Sequence, residues 1–86
     1  MNITFLRLPA VLAATGYKRS TLYLRMSQGL WPRPVSLGYR CVGWPQHEVE
    51  AINSARIADC SEAGIRELVE SLYAARRSVA FPGALQ

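Results

Sequence analysis

The chain has 86 residues, half of them hydrophobic and 19% charged, a composition that predicts a folded globular protein over most of its length and a length that excludes two independent cores. No apolar run approaches the ~18 residues of a membrane span and no secretory leader opens the chain, which excludes a membrane partner and predicts a cytoplasmic protein. The net charge of +4 divides unevenly: Arg7, Lys18, Arg19, Arg25, Arg33 and Arg40 all precede the first carboxylate, Glu48, while the remainder sets four arginines against six carboxylates, so a polyanion-binding segment joined to a supporting one is expected.

Residues 3–7 fit a short extended opening segment. Leu8, Val11, Leu12 and Thr15 then recur at i, i+3, i+4 and i+7, with Pro9 in the first turn and Gly16 at the end, which predicts a two-turn helix. A tight turn through Gly16 and Tyr17 leads to a second helix from Ser20 to Gln28, with Leu22 and Met26 inward and Gly29 as its stop. Two short helices about a glycine-containing turn have the helix-turn-helix layout. Trp31-Pro32-Arg33-Pro34 cannot continue a helix, because each proline removes a backbone donor and forces the residue before it to be extended. Val35 to Val42 predicts a hairpin about a two-residue Gly38-Tyr39 turn of type II′, with Leu37 opposite Arg40 and Val35 opposite Val42. In that register Val35, Leu37, Val42 and Trp44 share the face that docks on the helices, and Arg40 stands at the tip of a wing.

Pro45 opens a third helix to about Ala58, with Glu48 and Glu50 near its N-terminus, where the helix dipole favours negative charge, and with Val49 and Ile52 buried. The capping-box spacing of Asp59 and Glu62, the stripe Ile65, Leu68, Val69 and Leu72, and the late Arg76 and Arg77 predict a fourth helix from Cys60 to Arg77. That stripe either closes the core or pairs two copies of the chain. The fold class is mainly α with a small β-hairpin wing: a winged helix-turn-helix over residues 1–58, an added C-terminal helix over 59–77, and a fraying tail over 78–86.

Lys18 and Arg19 set two cations against the positive end of the second helix, at a cost of roughly 0.3 to 1 kcal/mol per exposed charge. A bound phosphate would turn that cost into a gain. Ser20, Thr21, Leu24 and Arg25 lie away from the Leu22 and Met26 face and are able to enter a groove, where arginine pairs bidentately with guanine and hydroxyls bond bases or phosphates. Tyr23 suits packing or a phosphate contact equally. Arg40 at the wing tip suits a minor groove, and Arg33 between two prolines suits the backbone. Each of these cations also has an ordinary role on a solvated surface. Enzymatic chemistry lacks its parts: His47 is the sole histidine and diverges from its neighbour Glu48, and no phosphate loop or metal-ligand spacing occurs. No cofactor, metal or small-molecule substrate is implied, and Cys41 and Cys60 are expected as small buried hydrophobes.

Residues 5–58 resemble the AlpA family of phage and prophage regulators, whose wider relatives include excisionases and MerR-type winged helices. The likeness rests on Leu6-Arg7-Leu8 with Val11-Leu12, Gly16, Arg19-Ser20-Thr21-Leu22-Tyr23, Gly29, Pro32-Arg33-Pro34-Val35, Leu37-Gly38, Val42-Gly43-Trp44 and Glu48-Val49. It implies that Arg19, Ser20, Thr21 and Tyr23 belong to the recognition element and Arg40 to the wing, with an output in transcription control or integrase-driven excision. Lys18 in place of a frequent serine cap, Pro45 after Trp44, and Ile52-Asn53 in place of a frequent Trp-Ile pair depart from the pattern. The implied partner is double-stranded DNA, with integrase, RNA polymerase and a second copy of the chain as further candidates. The alternative is an adaptor that binds an integrase, repressor or polymerase through its C-terminal helix.

Overall fold

The computed structural model describes residues 3–80, with the side chains of 79 and 80 excepted. Its elements are β1 (Phe5–Leu6), α1 (Leu8–Thr15), α2 (Arg19–Ser27), β2 (Val35–Gly38), β3 (Cys41–Pro45), α3 (Gln46–Ile57) and α4 (Glu62–Ala80). The strands form one antiparallel sheet in the order β1-β3-β2. This is a mainly helical winged helix-turn-helix with an added C-terminal helix.

Apolar spacing and backbone punctuation place the first two helices. Val11 and Thr15 are buried on α1, and Gly16 ends it at φ 76° by donating its N–H to the Leu12 carbonyl. The turn is locked by its own polar groups: Thr15 Oγ1 donates to Val11 O at 2.8 Å and accepts from Tyr17 N at 3.2 Å. From α3, Asn53 Nδ2 donates to Ala14 O at 3.0 Å and Arg56 Nη1 to Thr15 O at 3.1 Å, so the carbonyls at the C-terminus of α1 are capped in trans. The Ile52-Asn53 pair therefore has a clear use, since Ile52 fills the core and Asn53 holds the helix-turn-helix corner.

Val11, Leu22, Met26, Trp31, Trp44, Val49, Ile52 and Val69 form the core. Trp31 and Trp44 are 0% and 1% exposed. At ~25 cal/mol per Å² over 150–250 Å², each indole contributes a gross stabilisation of about 4–6 kcal/mol. Trp31 meets Tyr17 edge to face, with centroids 6.1 Å apart, and Trp44 Nε1 donates to Pro32 O at 2.8 Å. From α4, Val69 enters this core and Ile65, Leu68, Leu72 and Tyr73 flank it. The stripe on α4 thus lies against the core of its own chain.

The wing departs from its expected register. Val35 pairs with Gly43, Ser36 with Val42 and Gly38 with Cys41, with an irregularity between Ser36 and Gly38. Leu37 is therefore bulged and the turn is Tyr39-Arg40, not Gly38-Tyr39. Gly38 absorbs the distortion at φ 146°, and Arg40 takes the left-handed φ of 54°. The slip changes faces: Val35 now opposes Gly43 and turns away from Trp44, while Leu37 and Val42 stay 38% and 43% exposed. Only Trp44 of the four expected docking residues reaches the core. A Cβ on Gly43 would sit 2.9 Å from Cδ1 of the partly exposed Leu37 side chain and 3.1 Å from the Leu6 carbonyl of β1, so a larger residue there displaces Leu37 and presses on β1.

Three further expectations change. Asp59 does not cap α4: it ends α3 at φ 59°, and Ser61 Oγ instead accepts the Gly64 N–H at 3.1 Å. α4 continues through Ala80, so residues 78–80 are helical rather than frayed, while the remainder of the expected tail lies outside the described residues. Cys41 is half-buried and Cys60 exposed, because Cys60 falls in the exposed α3–α4 connection instead of inside a helix.

Candidate nucleic-acid interface

α2 has the simplest geometry of the candidate elements. Leu22 and Met26 anchor its inner side, which turns Ser20, Tyr23, Leu24 and Ser27 outward. Tyr23 is 50% and Leu24 53% exposed. Thr21 is half-buried on the flank, and Lys18 and Arg19 are exposed at the N-terminus. Lys18 is the N-cap residue at φ −77° and ψ 159°, makes no side-chain cap and is followed by no acidic residue in the first turn. The first-turn N–H groups of α2 therefore face outward beside two cations, which is the electrostatic form of an anion site.

Arg25 separates from this set. It is half-buried, its Nη1 donates to Gln28 Oε1 at 3.3 Å, and it lines a small hollow with Tyr17, Leu30, Arg56, Glu62 and Ile65. Helical rotation explains the difference, because Arg25 lies only 60° around the axis from the buried Leu22. Leu24 takes the central outward position instead.

Arg40 is exposed at the turn of the wing, with its guanidinium carbon 5.2 Å from the centroid of the exposed Tyr39 ring. Arg33 is also exposed, and its backbone is held on both sides: its N–H donates to Tyr73 Oη at 2.8 Å and its carbonyl accepts from Arg76 Nη2 at 2.9 Å. His47 is exposed.

Among the described residues, the ion pairs join Arg66 to Glu62 at 3.9 Å and Arg76 to Glu48 at 2.6 Å. None involves a cation before residue 45, so Arg7, Lys18, Arg19, Arg33 and Arg40 keep their charge uncompensated at the surface. The Glu48–Arg76 pair was not foreseen. Glu48 is 1% exposed and receives both Arg76 Nε and Nη2, at 2.9 and 2.6 Å, so it holds a guanidinium fork rather than only favouring the helix dipole.

The family described as "Prophage CP4-57 regulatory protein (AlpA)" matches residues 4–57, from β1 to the end of α3. The chain belongs to the AlpA family. That family is described as a prophage regulatory protein, and the motifs that carried the resemblance fall within the matched stretch. A curated relative, "Uncharacterized protein ORF88" of Enterobacteria phage P4, is 44% identical over 54 residues, which are 63% of this chain and 61% of that protein. The chain thus spans less than two thirds of the length of the curated relative it matches. No solved structure matches it. The AlpA match contains every candidate contact residue named above, whereas α4 lies beyond it. Among the described residues no helix is long and apolar enough to cross a membrane, and no three His, Cys, Asp or Glu side chains gather as metal ligands.

Proposed function

We propose that the chain is a sequence-specific regulator that binds double-stranded DNA, controlling transcription, excision by an integrase, or both. The observation that carries this is the N-terminus of α2, where Lys18 and Arg19 stand exposed beside uncapped N–H groups with no carboxylate near in sequence. A phosphate there satisfies the N–H groups and both cations at once. α2 then lies in the major groove with Ser20, Thr21 and Tyr23 at bases or phosphates, and Leu24 against a thymine methyl. Arg40 follows the minor groove beside it, and Arg33 meets the backbone. Arg25, turned toward α4, steadies the helix rather than reading bases.

The test is binding of the purified protein to DNA from its own upstream region and to scrambled duplex, over several salt concentrations. The expected result is at least ~10³-fold preference for the upstream DNA, with affinity falling by about 0.9 per phosphate contact on logarithmic axes. Equal or absent binding to both duplexes at moderate salt overturns the proposal.

A further inference from the structure

α4 grips the segment between α2 and the wing at both ends. At the α2 end, Arg66 Nε donates to the Gln28 carbonyl at 2.9 Å. At the wing end, the Arg33 N–H and carbonyl are taken by Tyr73 and Arg76. The preceding Pro32 carbonyl accepts from Trp44 Nε1. Three consecutive backbone polar groups are thus held by side chains, and the flanking prolines restrict rotation further. Arg76 is itself fixed, by the buried Glu48 and by its position 5.1 Å from the Tyr73 ring centroid. What remains free on this segment is the exposed Arg33 side chain.

From Arg66 to Arg76 an α-helix rises ~15 Å as a rigid rod. We propose that α4 is a ruler for DNA binding: Tyr73 and Arg76 are positioning residues that hold Arg33 at a set distance from α2, so that Arg33 meets one particular phosphate. The proposal rests on the DNA-binding function above. A charge on a wandering loop loses conformational freedom when it binds, whereas a charge on a pinned backbone has lost most of it already. α4 therefore strengthens binding while touching no nucleotide.

Tyr73→Phe tests this, since it keeps the ring beside Arg76 and removes the acceptor of the Arg33 N–H. Upstream-DNA affinity is measured across a salt series for the full chain, Tyr73→Phe, Arg33→Ala and the double variant, with hydrogen exchange of the Arg33 amide in the free protein. Arg33→Ala should lower affinity about two- to fivefold and the salt slope by about 0.9. Tyr73→Phe should speed Arg33 amide exchange, move affinity and slope in the same direction, and have no effect in the Arg33→Ala background. Pro34→Gly, which loosens the segment without touching α4, should reproduce that pattern. Wild-type binding by Tyr73→Phe with an unchanged slope overturns the ruler, as does a Tyr73→Phe loss that persists without Arg33. A wild-type chain that binds no duplex removes the function and the ruler together, whereas normal wild-type binding beside an indifferent Tyr73→Phe removes the ruler alone.

Discussion

Replacing Arg76 by alanine should cost this domain much of its stability. Glu48 is 1% exposed and accepts two hydrogen bonds from the Arg76 guanidinium, whose side chain is 22% exposed. Removing one partner of a buried pair leaves a buried unpaired charge, at about 3–5 kcal/mol. Water entering beside the partly exposed Arg76 position relieves some of that, which places the expected loss near the lower bound, about 3 kcal/mol. At about 4–8 °C per kcal/mol for a domain of this size, Tm should fall by about 12–24 °C. Far-UV circular dichroism during heating and in urea at neutral pH measures both quantities. Glu48→Leu combined with Arg76→Leu removes the charge along with its partner, so the double variant should be more stable than Arg76→Ala. A loss under about 1 kcal/mol for Arg76→Ala, the range of exposed ion pairs, would refute the reasoning, as would a double variant less stable than the single one.

Lys18→Ser should raise stability by about 1 kcal/mol, because it supplies the missing cap of α2 and removes a cation from the positive end of the helix. The same change should weaken DNA binding and lower the salt slope by about 0.9, and thermal melts beside salt-dependent titrations check both directions. If Leu24 covers a thymine methyl, replacing that thymine by deoxyuridine should cost about fourfold in affinity, from ~0.8 kcal/mol per methyl-sized group. That cost should vanish in Leu24→Ala, and indifference of the wild type to every single thymine replacement removes Leu24 from the base-reading set.

The helices were legible because their signals are local. Leu8, Val11, Leu12 and Thr15, and then Leu22 and Met26, repeat at helical spacing between Gly16, Gly29 and the prolines, and α1 and α2 begin and end within a residue or two of where those signals put them. The hairpin was visible, but its register was not. Gly38 serves a type II′ turn as readily as it serves a bulge followed by a left-handed Arg40, and nothing in the local sequence distinguishes the two. Asp59 misled for a related reason, since a positive φ on a residue other than glycine belongs to no pattern in the chain. Among the candidate contacts, Lys18 and Arg19 were legible as a broken capping rule, whereas the half-burial of Arg25 beside Glu62 and Ile65 required knowing where α4 passes. Glu48 and Arg76 are 28 residues apart, and no periodicity joins a carboxylate to a guanidinium over that distance.

The bulge at Leu37 also bears on how the molecule behaves when crowded. The outer strand of a sheet offers unpaired N–H and C=O groups that a neighbouring molecule can extend, and an even, flat edge is the usual starting point for aggregation. Both edges of this sheet are poor templates. β1 has only two residues, while β2 is kinked in the middle and preceded directly by Pro34, which has no N–H to offer. A strand from another molecule would find no continuous ladder to join, so crowding alone gives neighbouring copies no backbone edge through which to assemble.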